Sequence, residues 1–218
     1  MAFNVSFDQL NQFYQDGHPD NMRSMPYEEY FGEMDISEEQ KEKREETARE
    51  LETFMLLALM SMYYMGENGG YDYSEASSII SQNYSQLLND LGTPLTSFFS
   101  MTHADATAAE IVSATLNHTD DPYFFSIDRA RLIAENEANS IWNDSEYQDA
   151  ILTGKTRKTW RAIIDKATRD THREVNGVTI PIWQPFVVGD SLMMYPHDQS
   201  LGASSSEISN CRCSVIYS

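Results

Sequence analysis

After Gly154 the chain changes texture. Thr159-Trp160-Arg161-Ala162-Ile163-Ile164 is followed by Val178-Thr179-Ile180-Pro181-Ile182-Trp183, Leu192-Met193-Met194-Tyr195 and Ser214-Val215-Ile216-Tyr217. All four stretches are short and carry β-branched and aromatic residues, with Pro, Gly, Asp and Ser between them, the pattern of strands joined by turns. Just upstream, Ile127–Leu152 reads as one long helix, with Ser126 placed to cap its start and Gly154 just past its end. Together these predict an α+β fold: an α-helical N-terminal part, then a small antiparallel β-rich C-terminal domain packed on the helix 127–152.

Working towards the N-terminus, Ser37-Glu38-Glu39-Gln40 has the form of a capping box and opens a second long helix. Leu51, Phe54, Met55, Ala58 and Met62 keep helical spacing along it, and Gly66, Gly69 and Gly70 end it. Further helices fit Ser74–Leu91, with Ile79, Ile80, Tyr84, Leu87 and Leu88 on one face, and Ala104–Leu116. Residues 1–36 hold Gly17, Pro19, Pro26 and Gly32, and predict an extended arm with a short helix at Phe7–Tyr14. The expected divisions are therefore an arm at 1–36, an acidic helical region at 37–122 and an α+β domain at 123–218.

The 218 residues are 41% hydrophobic and 22% charged, enough apolar material for a sizeable core. Phe54–Met65 is the longest apolar run, and it is too short to cross a bilayer as a helix. Met1–Gln12 lacks the basic start and apolar stretch of a secretion signal. The only cysteines, Cys211 and Cys213, are too close to bridge in an extended chain and suit a reducing compartment. Charge is lopsided: residues 1–125 carry 22 acidic and 5 basic side chains, residues 126–218 carry 12 and 10. Such a front is either a solvated surface or a docking element for a basic partner. It disfavours DNA binding, which needs clustered Lys and Arg. The tyrosines and methionines of the first helix pair suit core packing or an interface alike.

The chemistry-bearing residues fall in one ordered set: Trp160, Asp165-x-x-Thr168-Arg169-x-x-His172, Gly177, Phe186, Gly189, Leu192, Tyr195-Pro196, Asp198, Glu207 and Asn210-Cys211-Arg212-Cys213. This set resembles the phage head morphogenesis domain of minor head proteins similar to protein F of phage Mu. Ile133-Ala134-Glu135-Asn136-Glu137 resembles that family's signature helix, usually Ile-Ala-Arg-Thr-Glu, with Glu135 and Asn136 as departures. The resemblance covers roughly residues 123–218. It implies a minor capsid protein of a phage or prophage, made in the host cytoplasm and carried in the virion at the capsid interior or portal vertex. Its partners would be the portal or other capsid proteins, with contact to packaged DNA in some members and none with membrane.

Asp165 and Thr168 are the types that fix a turn at a strand end. Arg169 offers a planar fork to a carboxylate. Glu137 shares a helix face with Ile133 and Ile141, so either Arg169 or His172 pairs with it, or it lies solvated at the edge of the stripe. Glu137, Asp165, Thr168, Arg169, His172, Asn210 and Arg212 are thus expected to form a structural polar cluster. In the resemblance, some members carry a Cys-x-x-Cys at the positions of Arg169 and His172, a set that looks like a four-ligand zinc site. Here only His172, Cys211 and Cys213 remain as ligands, one short of a closed structural site, with Asp165 or His197 to fill in. The expectation is a cluster holding no cofactor, zinc being the alternative. No complete catalytic constellation appears, although Cys211 or Cys213 with His172 and Asp165 has the types of a cysteine triad. Two rivals to a minor head protein stand: a virion-delivered toxin-like enzyme of nuclease type, and a scaffold or adaptor without chemistry.

Overall fold

The computed structural model describes Asp8, residues 26–67, Gly70 and residues 72–218. The expected helix at Phe7–Tyr14 lies, but for Asp8, outside the described residues. The rest is α+β, with helices α1 (Tyr27–Gly32), α2 (Glu38–Glu67), α3 (Tyr73–Asp90) and α4 (Ala104–Leu116) preceding α5 (Ile127–Leu152). Then come β1 (Arg157–Arg161), α6 (Asp170–Val175), β2 (Thr179–Pro181), β3 (Phe186–Val188), β4 (Ser191–Met193), α7 (Ser205–Ile208) and β5 (Ser214–Tyr217).

Local chemistry sets the helix ends. The amide of Ser37 donates to Gln40 Oε1 at 2.9 Å and the Gln40 amide donates back to Ser37 Oγ at 3.3 Å, closing the capping box. Asp72 caps α3 by accepting from the Glu75 amide. Ser126 Oγ accepts from the Arg129 amide at 3.2 Å, and Gly154 follows α5 at φ +75°, so both expected ends of the long helix are in place.

The chain packs as two compact units. The first takes in Arg49–Thr93 and Ser97–Ala134. There Leu51, Met55, Leu59, Ile80, Tyr84, Ile111 and Val112 are buried, and Phe54 stacks on Tyr84 at 5.6 Å. Met55, Met60 and Met62 are therefore core residues.

The second unit takes in Met25–Ala48, Pro94–Thr96 and Glu135–Ser218. The arm expected at 1–36 needs correction over its last part. Tyr27–Gly32 is helical, and Tyr27, Phe31 and Met34 are buried. Aromatic side chains at i and i+4 gave that segment an apolar face, which the flanking Pro26 and Gly32 masked in the sequence.

A three-stranded antiparallel sheet of order β2-β1-β5 and a β3-β4 hairpin complete this unit. Trp160 stands opposite Val215, and its ring joins Phe186, Val188, Met193, Tyr195, Ile208 and Val215 in the core. Tyr147 of α5 packs against that core, so the sheet does lie on the long helix. The strand expected at Thr159–Ile164 stops at Arg161, because Asp165 and Thr168 fold the next residues into a turn. β3, α6 and α7 are too short to leave a periodic signal. No described helix is long and apolar enough to cross a membrane.

Candidate functional site

The site forms where α6 meets the segment running into β5. Asp165 Oδ1 accepts the amides of Ala167 at 2.8 Å and Thr168 at 3.0 Å. Thr168 Oγ1 accepts the Asp165 amide at 2.9 Å and donates to the Ile163 carbonyl at 2.5 Å. This turn aims the short helix α6, on which His172 is buried, at the Cys-x-Cys segment.

His172 sits between sulfur and carboxylate. Its Nδ1 lies 3.3 Å from Cys213 Sγ and 3.6 Å from Cys211 Sγ. Its Nε2 lies 3.1 Å from Glu207 Oε2, which also accepts the Thr171 hydroxyl at 2.9 Å. Trp160 meets the imidazole edge-on, with ring centroids 5.9 Å apart. Burial opposes charging of His172, but the hydrogen bond and charge of Cys211 outweigh it and raise the imidazole's pKa. Burial likewise opposes ionisation of Cys211, yet hydrogen bonds from Cys213, His172 and His197 hold its thiol well below the ordinary range. Cys213, donating to Cys211, is held well above it. The two thiols are thus pushed in opposite directions, Cys211 towards and Cys213 away from ionisation.

The backbone of the Cys-x-Cys is fastened from α5. Asn139 Nδ2 donates to the Cys211 carbonyl at 3.0 Å and the Cys213 carbonyl at 3.2 Å, and Asn143 Nδ2 adds a 3.2 Å bond to the latter. His197 Nε2 donates to the Cys211 carbonyl at 2.7 Å, from a backbone at φ +71°. Asn139 Oδ1 in turn accepts Arg44 Nε at 3.1 Å, and Arg44 forks onto Glu146 at 2.6 and 2.9 Å. Nearby, buried Asp144 accepts the Thr96 amide at 2.7 Å, the Thr96 hydroxyl at 2.8 Å and the Tyr195 hydroxyl.

Most of the polar cluster expected from sequence comes together, with different pairings. The acid facing His172 is Glu207, where Glu137 was one expected partner. Glu137 is half-buried on α5. Arg169 donates to the Ser209 carbonyl. Asp165 receives Arg212, which also reaches Glu33 at 3.0 Å. Asn210 exchanges two hydrogen bonds with Asn136, at 2.7 and 2.9 Å. Sequence reasoning gave no role to Glu207, Asn139, Asn143 or Arg44. The one available signal was a pair of amides four residues apart on a helix with an apolar face.

His172, Cys211 and Cys213 present donor atoms all within 4.8 Å of one another, so these three could hold a metal. Asp165 and His197, the expected fill-ins, spend their polar atoms on Arg212, the Asp165–Thr168 turn and the Cys211 carbonyl. A pocket of about 30 Å³ opens beside the cluster, lined by Thr168, Arg169, His172, Asn210 and both cysteines among others.

The family described as Phage Mu protein F like protein matches residues 102–216, more than half of the chain. The chain is also similar to the NAD(+)--arginine ADP-ribosyltransferase EFV of Enterococcus faecalis, at 33% identity over 95 residues. That match takes in 42% of this chain but only 19% of the relative, so the chain spans about a fifth of its length. No solved structure matches the chain.

Proposed function

Because the chain belongs to the Phage Mu protein F like family and is thus a phage head-related protein, we propose that it is a minor head protein acting in head assembly through association with the portal. The observation that carries this reading is the family match, which spans α4 to β5 and takes in the whole His172–Glu207–Cys213 cluster. The ordered residues that gave the resemblance serve one compact unit: Asp165 and Thr168 shape its turn, His172 and the cysteines fill its centre, and Trp160 and Tyr195 pack beside them. In this reading the acidic front, with its net −17 over residues 1–125, is the docking element for a basic face of the partner. It works inside the virion, at the capsid interior or portal vertex, after assembly in the host cytoplasm. Contact with packaged DNA is not favoured by the charge of this front, which lacks the clustered cationic groups that phosphate neutralisation needs.

Cross-linking mass spectrometry on purified heads of the encoding phage tests the proposal. Cross-links between residues 26–125 and the portal are the expected result. Recovery of the chain only outside heads, or cross-links confined to the major shell protein, would overturn portal association. The transferase activity of the Enterococcus relative belongs to a protein of which this chain spans a fifth, and it gives no activity to this chain. A nuclease-type effector reading has His172 to work with, but that residue is buried with both ring nitrogens engaged. Loss of a measured nuclease activity in a folded His172→Ala protein is what would favour it.

A further inference from the structure

We propose that His172, Cys211 and Cys213 bind a zinc-class divalent cation through three protein ligands, with Glu207 fixing the imidazole tautomer and the fourth position open to the pocket beside Arg169. The donor geometry comes first. Zinc bonds of 2.3 Å to sulfur and 2.0–2.1 Å to nitrogen at a tetrahedral angle put N and S about 3.5 Å apart. His172 Nδ1 stands 3.3 and 3.6 Å from the two sulfurs, so the donors already span that edge length.

The second observation is which ring nitrogen faces where. Nδ1 faces both sulfurs, and Nε2 faces Glu207 at 3.1 Å. A carboxylate behind the far nitrogen of a histidine holds the proton there and leaves the near lone pair free for a metal. Glu207 is itself held by the Thr171 hydroxyl at 2.9 Å. Gly189 supplies the room, since a Cβ there would lie 2.9 Å from Glu207 Oε1. The third observation is rigidity. Asn139 and Asn143 pin the carbonyls of both cysteines, so the two sulfurs are aimed before any cation arrives. Two thiolates and an imidazole favour zinc over the harder magnesium or calcium.

The fourth position separates this site from a closed structural one. Arg169 cannot ligate and is turned to the Ser209 carbonyl. Neither Asp165 nor His197 belongs to the converging group. The pocket of about 30 Å³ at that side has room for a water or a small anion. Three protein ligands with one exchangeable position is the arrangement of zinc sites that take an external ligand.

The test uses the full-length, tag-free chain. Elemental analysis should find close to one zinc per chain, and the two thiols should resist a thiol reagent until a chelator is added. Cobalt substitution should give a thiolate charge-transfer band with tetrahedral d–d bands, and azide should shift those bands. Glu207→Gln, which keeps the side chain's size, should stay folded by circular dichroism and bind zinc 10- to 100-fold more weakly. A folded chain that takes up no zinc at micromolar free metal would overturn the site and leave a hydrogen-bonded cluster. Unchanged affinity in Glu207→Gln would overturn the role of Glu207. A cobalt spectrum indifferent to azide would overturn the open position.

Discussion

At Gly189 the backbone turns at φ +57°, and a Cβ there would stand 2.9 Å from Glu207 Oε1 and 3.0 Å from Thr171 Cγ2. Gly189→Ala therefore meets two penalties: a left-handed backbone that L-residues resist, and displacement of the carboxylate behind His172. Gly202 has φ +79° with open space around it, so Gly202→Ala meets only the first. Thermal melts should show both variants destabilised by roughly 1–2 kcal/mol, Gly189→Ala more than Gly202→Ala. Only Gly189→Ala should move the NMR signals of the His172 ring, and identical behaviour of the two would contradict the contact with Glu207. Lys158 on β1 is a cation held inside the β-rich unit. It is buried, donates to the Met194 carbonyl at 2.7 Å and lies over the rings of Tyr147 and Phe186. Burial lowers its pKa from 10.5 to about 7, partly offset by Asp198. Between about pH 7 and 10.5 the unfolded chain holds a proton on Lys158 that the folded chain has lost, so this lysine's contribution to stability rises with pH across that window. Denaturation curves of wild type and Lys158→Met should differ most below pH 7 and converge as pH rises; a constant difference would contradict the lowered pKa.

The long helix α5 shows what can be read from a sequence and what cannot. Its two ends were legible, because Ser126 and Gly154 act on backbone groups within a turn of themselves. Its interior was not. Asn139 and Asn143 are buried at 0% and 1% exposure, where polarity alone would place them in solvent. Their partners, the carbonyls of Cys211 and Cys213, lie some seventy residues along the chain. Long-range pairing of that kind leaves no local trace, and for the same reason Glu207 took the place that helix spacing offered to Glu137. The turn at Asp165–Thr168 was legible because its bonds are local, whereas the Arg44–Glu146 fork was not. Replacing Asn139 by Leu takes one donor from each of two carbonyls, which His197 and Asn143 still serve, and one acceptor from Arg44, which keeps Glu146, at a cost on the order of 1–2 kcal/mol. Urea denaturation should show that loss, and amide exchange should speed up first around β5. Unchanged stability would mean that α5 does not hold the Cys-x-Cys segment through this side chain.

Over the whole molecule, the limit drawn at residue 123 from sequence and the division into compact units part ways. The unit containing the β-rich end also takes in Met25–Ala48 and Pro94–Thr96. Those segments contribute specific partners rather than loose covering. Arg44 binds Glu146 and Asn139, Thr47 accepts the Trp142 indole at 2.9 Å, Thr96 serves Asp144, and Glu33 meets Arg212. A fragment of residues 123–218 keeps every residue of the His172 cluster but strips these partners away. It leaves Glu146 without the Arg44 guanidinium and Asp144 with the Tyr195 hydroxyl but neither Thr96 donor, and removing one partner of a buried ion pair costs several kcal/mol. Against a total stability of about 5–15 kcal/mol, two or three such losses are enough to abolish cooperative folding. Residues 123–218 alone should therefore melt without a sharp transition and exchange their amides freely, while residues 25–218 should unfold cooperatively near the full-length temperature. If the shorter fragment melted sharply at that temperature, the segments before residue 97 would be ornaments of the unit rather than parts of it, and the division read from sequence would stand. If it fails, an assembly role cannot be divided into an acidic arm and a separate anchor, because residues of the acidic front complete the unit that holds the cysteine pair.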